Sequence, residues 1–146
     1  MKSRMYNIRT IFFYLFFMGF INPALSAQID DSDALQGVKD TKIIFDINLS
    51  EAKKLELYLG VIKMTRGDLL RQGQHADIVL AFRGASVRLI SSEIWSFSEE
   101  DQQSLEKSAL ILKELKESGV RLEACSIATN LFKVDNNTIL HGIKVV

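Results

Sequence analysis

The sequence has very few of the residues from which disulfides, metal sites and catalytic triads are built. It contains one cysteine, Cys125, and two histidines, His75 and His141, among 146 residues. A single cysteine cannot form a disulfide within the chain, so its thiol is buried and inert, paired between chains, or reactive. No two possible ligands have a spacing that suits zinc, and neither histidine forms a convincing Cys–His pair for hydrolysis. We therefore predict no metal and no cofactor.

The chain also lacks an excess of one charge and the glycine-rich motifs that bind phosphate groups. Lysine and arginine together number 18, and so do aspartate and glutamate. The sequence has no Gly-x-Gly-x-x-Gly and no Walker motif, so nucleotide binding has little support. With 47% hydrophobic and 25% charged residues, the composition is typical of one globular domain and excludes a disordered protein.

Residues 1–27 have the organisation of a secretory signal peptide. Three basic residues precede an uninterrupted apolar run at 11–21, and small residues lead to a predicted cleavage site after Ala27. The run is shorter than the ~20 residues of an ordinary membrane span, so we expect no stable span after cleavage; the alternative is an uncleaved N-terminal anchor. Cleavage would leave 15 basic and 18 acidic residues without a basic cluster, which argues against a nucleic-acid partner.

Beyond the leader, segments with the pattern of strands alternate with segments that have the pattern of helices. The polar residues 28–40 predict a flexible mature N-terminus or a short edge strand. The order of the later segments predicts one α/β domain over residues 41–146, with a mostly parallel sheet, right-handed crossovers and helices on both faces. The predicted strands cover 41–47, 76–82, 120–124 and a segment from 142, and the long helices cover about 51–71 and 99–117.

The two long helices have recognisable start signals and apolar faces. Ser50 is the predicted N-cap of the first helix, and Ser98 opens a capping box with Asp101 in the second. We interpret Tyr58 and Met64 of the first helix as core residues and not as part of a cofactor site.

Three strand ends are predicted to meet at one edge of the sheet. The carboxyl ends of parallel strands share an edge, and ligands of open α/β sheets collect there. Asp46 or Asn48 ends the first strand, Arg83 the second and Cys125 the third. His75 comes before its strand and is therefore expected at the opposite edge. If the second and third strands are neighbours, the turn that follows Arg83 lies beside Cys125.

The position of Cys125 between a strand and a short helix favours a reactive thiol. The free N–H groups of a helix that begins at Ser126 and the guanidinium of Arg83 would both favour the thiolate. We predict that Cys125 lies in a shallow pocket bordered by Arg83 and the Trp95 loop. The alternatives are that Arg83 pairs with a surface carboxylate and that Cys125 is packed and inert. The candidate binding residues are Arg83, Gly84, Ser86, Asp46 and Ser126.

Four stretches after Lys42 carry a family resemblance: Ile-Ile-Phe-Asp-Ile at 43–47, the residues 78–86 ending in Arg-Gly-Ala-Ser, Gly119–Cys125 followed by Ala128, and Phe132–Asp135 with Leu140, Gly142 and Ile143. Through these stretches the chain resembles, from Lys42 onward, the DsrE/DsrF-like family, in particular its exported bacterial members. The resemblance implies a flavodoxin-like α/β domain that assembles into homo-oligomers, commonly trimers or hexamers. It also implies, for some cytoplasmic members, a cysteine that carries persulfide sulfur in relay systems, and this cysteine maps to Cys125.

The resemblance predicts a periplasmic sulfur carrier or sulfur-transfer accessory that acts through Cys125, together with a donor or acceptor protein. Persulfide transfer needs only a nucleophilic thiolate and a leaving sulfur, so a lone cysteine is sufficient. The alternative is a non-catalytic oligomeric module that binds a small molecule or a protein and has a structural Cys125; enzymatic activity is left open. Family members usually continue past 142–146 with a further strand and tail, so we expect a shortened C-terminus, and a truncated reading frame would explain it.

Overall fold

The computed structural model of the protein describes residues 33–146. The predicted leader, its cleavage site after Ala27 and the first part of the 28–40 segment lie outside these residues. The described part of that segment forms a turn at 33–37, and the first strand begins at Asp40. None of the helices in the described part of the chain combines the length and hydrophobicity that a membrane span requires.

Residues 33–146 form a four-stranded parallel sheet in the order β1-β2-β3-β4, so the predicted α/β fold with a parallel sheet is confirmed. Both ends of each observed strand lie within two residues of the predicted ends, and the same holds for the two long helices. The strands are β1 (Asp40–Ile47), β2 (His75–Phe82), β3 (Arg121–Ala124) and β4 (Lys144–Val145); the α-helices are α1 (Ala52–Arg71), α2 (Glu99–Glu117) and α3 (Ser126–Leu131); and 3-10 helices cover Gly84–Ile90 and Asn136–Thr138.

The hydrophobic core lies between one face of the sheet and the helices α1 and α2. Side chains alternate between the two faces of a strand, so every second residue of β1 and β2 points into this core. Ile47 and Phe82 are partners in register, and they are 0% and 1% exposed. Tyr58 packs edge-on against Phe45, as expected for a core position, whereas Met64 is 69% exposed and is not a core residue.

The prediction that helices lie on both faces of the sheet needs one correction, because both long helices pack on the same face. Crossovers between parallel strands are right-handed, and here each strand lies beside the one before it in the chain. Successive crossovers therefore stay on one side. The opposite face exposes 72% of Ile44 and carries two ion pairs, Asp46 with Arg83 and Asp77 with Arg121.

Candidate functional site

Cys125 lies at the carboxyl end of β3 and occupies the N-cap position of α3. Its backbone N–H donates to the carbonyl of Phe82 at 2.9 Å, and its own carbonyl accepts from the N–H of Thr129 at 3.0 Å. The last residue of β2 and the first turn of α3 therefore fix the backbone of the cysteine. Cys125 is a free cysteine and is half-buried, so the residue is not enclosed in the core.

The turn after β2 places Arg83 beside this cysteine. Gly84 has a positive φ of 58°, and a Cβ atom added there would lie 2.2 Å from Oδ1 of Asn48. Ser86 is fully buried. Its hydroxyl oxygen lies 2.8 Å from the carbonyl oxygen of Ile47 and 2.8 Å from that of Arg83, so the hydroxyl can donate to either. Gly84 and Ser86 thus shape the turn itself, and a direct contact of either residue with a ligand stays a prediction.

Arg83 is paired with a carboxylate. Its Nε and Nη2 groups donate to the two carboxylate oxygens of Asp46, while both side chains remain about half-exposed. These hydrogen bonds hold the pKa of Asp46 below its ordinary value, against the effect of partial desolvation. The same hydrogen bonds raise the pKa of Arg83, and the nearby Cys125 adds a smaller effect in the same direction. Arg83 therefore pairs with a surface carboxylate and also lies within electrostatic reach of the thiol.

The pH range of the Asp46–Arg83 pair follows from the lowered pKa of Asp46. A lowered carboxyl pKa stabilises the folded state fully above the ordinary value of about 3.9, and the contribution is lost as the pH falls through the folded-state pKa. At neutral pH the pair is intact. The negative charge of Asp46 then offsets part of the field that Arg83 exerts on Cys125.

Two substitutions in this pair are expected to change the reactivity of Cys125 in opposite directions. Asp46→Asn removes the compensating charge, so alkylation by iodoacetamide at neutral pH should become a few-fold faster. Arg83→Gln removes the cation that lies within electrostatic reach of the sulfur and should make alkylation a few-fold slower. The matched control is Arg121→Gln, which breaks the ion pair with Asp77 and should leave the rate unchanged. Equal rates in all four proteins would show that Arg83 does not influence the thiol.

Trp95 lies in a different cleft from the one predicted. The 3-10 helix Gly84–Ile90 separates the turn at Arg83 from Trp95 along the chain, and Trp95 is 80% exposed. Its cleft has a volume of about 250 Å³, and neither Arg83 nor Cys125 lines it. The lining includes Arg88, Glu93, Trp95, Phe97, Phe132 and Lys133.

The N-terminus of α3 is partly occupied by the end of the chain. The N–H of Ser126 donates to the carbonyl of Val146 at 2.8 Å, and the N–H of Val146 donates to the carbonyl of Ala124 at 2.9 Å. One of the helix N–H groups that were predicted to favour the thiolate is therefore used. Val146 was not among the predicted site residues, although it belongs to the segment from 142 that was predicted to form a fourth strand; in the structure this strand pairs with β3.

His75 begins β2 and pairs in register with Asp40, at the amino ends of their strands. This confirms that it lies at the opposite edge of the sheet from Cys125. Within residues 33–146, no group of three histidine, cysteine, aspartate or glutamate side chains is arranged to hold a metal ion.

Comparisons with known proteins support the fold. No family model matches the chain. A protein of Aquifex aeolicus (strain VF5) described as uncharacterized is 28% identical over 94 residues, which cover 64% of this chain but only 42% of that protein, so the match spans less than half of its length. Among solved structures, the chain is similar to the protein of unknown function MTH1491 from Methanobacterium thermoautotrophicum. The TM-score is 0.56 and the sequence identity 21%, over 73% of this chain and 82% of the other.

Proposed function

We propose that this chain is an exported, periplasmic protein of the DsrE/DsrF-like type that carries sulfane sulfur on Cys125, as a sulfur carrier or a sulfur-transfer accessory. The observation that supports this proposal most is the placement of a half-buried free thiol at the carboxyl edge of a parallel sheet, within electrostatic reach of Arg83. The stretches that resemble the family form this edge: 78–86 provides β2 and its turn, and Gly119–Cys125 provides β3.

The proposed transfer conserves electrons and needs no redox cofactor. The Cys125 thiolate attacks the outer sulfur of a donor persulfide, the S–S bond of the donor breaks, and the donor leaves as a thiolate. Cys125 then holds a persulfide. In the second step an acceptor thiolate attacks the outer sulfur of this persulfide, and Cys125 leaves as the thiolate that began the cycle.

The surroundings of Cys125 fit these two steps. Both steps begin and end with an anionic sulfur, and a guanidinium nearby stabilises such an anion. Asp46 holds the planar guanidinium through two parallel hydrogen bonds, which fix its orientation at the edge of the sheet. The backbone hydrogen bonds to Phe82 and Thr129 hold the backbone of Cys125, from which the sulfur projects, in the same place in each step.

Sulfur loading can be measured by intact mass after the purified protein is exposed to inorganic polysulfide. We expect a mass increase of one sulfur atom that is removed by dithiothreitol and absent in Cys125→Ser. The chain has a single cysteine, so a reducible adduct can form at one position only. Loading should also be slower in Arg83→Gln. A native protein that takes up sulfur more slowly than the same chain in urea would show that the fold protects the thiol and would contradict the proposal.

The family resemblance extends the proposal to partners. It suggests a homo-oligomer, a trimer or a hexamer, and a protein that donates sulfur to Cys125 or accepts sulfur from it. A half-buried thiol at the edge of the sheet can be approached by the extended cysteine-bearing segment of such a protein. The proposal includes no nucleic acid and no stable membrane span.

A second candidate function is a non-catalytic binding module with a structural Cys125, and the Trp95 cleft favours it. The exposed indole of Trp95 stands in a cleft that also contains two cationic side chains, Arg88 and Lys133. The guanidinium carbon of Arg88 lies 5.8 Å from the centroid of the Phe97 ring, which orients the cation. Cations beside aromatic rings suit a small organic anion.

Binding of an anion in the Trp95 cleft should raise the melting temperature of the protein. Aromatic carboxylates are suitable probes because they combine a ring that stacks on Trp95 with a charge that pairs with Arg88. Arg88→Gln should abolish the shift, whereas Arg83→Gln should retain it. Loss of the shift in Arg83→Gln alone would place the anion at the edge of the sheet beside Cys125.

A further inference from the structure

The outer side of α1 carries three large apolar side chains that the core does not use. Leu57, Val61 and Met64 are 71%, 49% and 69% exposed, and their spacing places them on one face of the helix. They line an apolar groove of about 730 Å³ together with Ile111 of α2. Exposed apolar patches of this kind mark interaction surfaces.

Charged residues are arranged symmetrically on either side of this apolar centre. Lys54 precedes Val61 by seven residues, and Asp68 follows it by seven. Glu51 precedes Val61 by ten residues, and Arg71 follows it by ten. If two copies of α1 cross antiparallel at Val61, each of these residues meets its counterpart on the other copy, and both meetings join opposite charges. We call the three apolar and four charged residues the α1 stripe.

The same four charges are already paired within each helix. Glu51 lies 2.5 Å from the ammonium of Lys54, and Asp68 is paired with Arg71. Each end of the stripe is therefore neutral and remains exposed. When two stripes meet, the two pairs at each end form a square of alternating charges, so association does not bring like charges together.

Gly60 supports a close approach of another helix at this position. It lines the apolar groove next to Val61, and a Cβ atom added to it would have no neighbour within 4 Å. Packing within residues 33–146 therefore does not explain a glycine there, although glycine destabilises the interior of a helix. The absence of a side chain lets the backbone of a neighbouring helix come near.

We propose that the α1 stripe binds the α1 stripe of a second copy of this chain, antiparallel and about a twofold axis at Val61. Such an interface uses the same surface on both copies, so the assembly contains an even number of chains. A dimer satisfies this condition, and so does a hexamer in which the stripe joins two trimers. The inference does not depend on the proposed role of Cys125.

Analytical ultracentrifugation of the purified protein, with complementary charge variants, tests the proposal. Lys54→Glu brings a glutamate against Asp68 at both ends of the twofold contact, and Asp68→Lys brings a lysine against Lys54. Each variant alone should therefore sediment with half the mass of the wild-type assembly. An equimolar mixture restores both opposite-charge pairs and should recover the wild-type mass. Each substitution also breaks an ion pair within its own helix. This ion pair is absent from each variant both alone and in the mixture, so its loss cannot explain a recovery of the wild-type mass.

Substitutions in the apolar centre provide the second measurement. Val61→Lys should halve the mass with little effect on the melting temperature. Leu131→Lys, at a 73% exposed position on α3, is the matched control and should sediment like the wild type. A wild-type protein that is a monomer or a trimer, a mixture that does not reassociate, or a Val61→Lys variant of unchanged mass would each overturn the proposal.

Discussion

Phe82→Ala is expected to lower the free energy of unfolding by about 3–5 kcal/mol, the usual cost of truncating a buried phenylalanine. Phe82 is the largest fully buried side chain among the described residues, and it is 1% exposed. It ends β2 and lies in register with Ile47 on one side and Ala124 on the other, so its ring packs where three strands reach the carboxyl edge. Alanine would leave a cavity directly beneath the Cys125 site.

Urea unfolding followed by circular dichroism measures this loss, and Phe132→Ala is the control because its ring is half-buried at the Trp95 cleft. The control should lose much less stability. The backbone carbonyl that accepts the hydrogen bond from Cys125 is still present in Phe82→Ala. Folded Phe82→Ala should therefore show the same rate of Cys125 alkylation as the native protein, and any change in that rate should follow the unfolded fraction. Equal losses in the two variants would contradict the packing argument.

The strands and the edge that carries Cys125 could be predicted from the sequence because they depend on local patterns. A run such as 78–82 is apolar at every position, and in a parallel sheet all strands must end at one edge. Arg83 and Cys125 were therefore expected near each other if β2 and β3 were neighbours, and the structure shows that these strands pair. The capping box at Ser98 is also local: its hydroxyl accepts from the N–H of Asp101 at 3.2 Å.

Features that depend on choices between distant parts of the chain could not be predicted in this way. The handedness of a crossover is fixed by chain chirality, but the order of the strands is not, so the one-sided placement of α1 and α2 was missed. Ser50 is a common cap residue, yet α1 begins one residue later, with Glu51 in the N-cap position and without a side-chain cap. The exposure of Met64, in contrast, follows from its spacing: it repeats with the exposed Leu57 and Val61 and not with the buried residues of α1, so it lies on the outer side of the helix.

The partner of Arg83 could not be predicted from the sequence either. The sequence pattern allowed an Arg83 guanidinium that faces the thiol or one that pairs with a surface carboxylate. In the structure Asp46 lies one residue before the end of β1 and in register with Ala81, so its carboxylate reaches Arg83 on the face opposite to the core. Strand register, which the apolar pattern does not specify here, determines the electrostatics of the site.

Gly84→Ala is the second substitution with a large expected effect, because two separate costs act at one position. The backbone of Gly84 is in the left-handed region at φ 58°, where a Cβ atom costs about 1–2 kcal/mol. The new methyl group would also lie 2.2 Å from Oδ1 of Asn48, so that side chain must move. The loss of unfolding free energy should therefore exceed the backbone cost alone.

Gly73→Ala separates the two costs, because Gly73 also has a positive φ, 75°, but no atom lies within 4 Å of its added Cβ. Urea unfolding should show a loss in Gly73→Ala that reflects the backbone alone and a larger loss in Gly84→Ala. The difference should fall when Asn48→Ala is combined with Gly84→Ala. Alkylation of Cys125 should change only in Gly84→Ala, since this turn alone positions Arg83 beside the thiol. Equal losses at the two glycines, with an unchanged alkylation rate, would mean that Asn48 moves aside freely and that the turn tolerates a side chain.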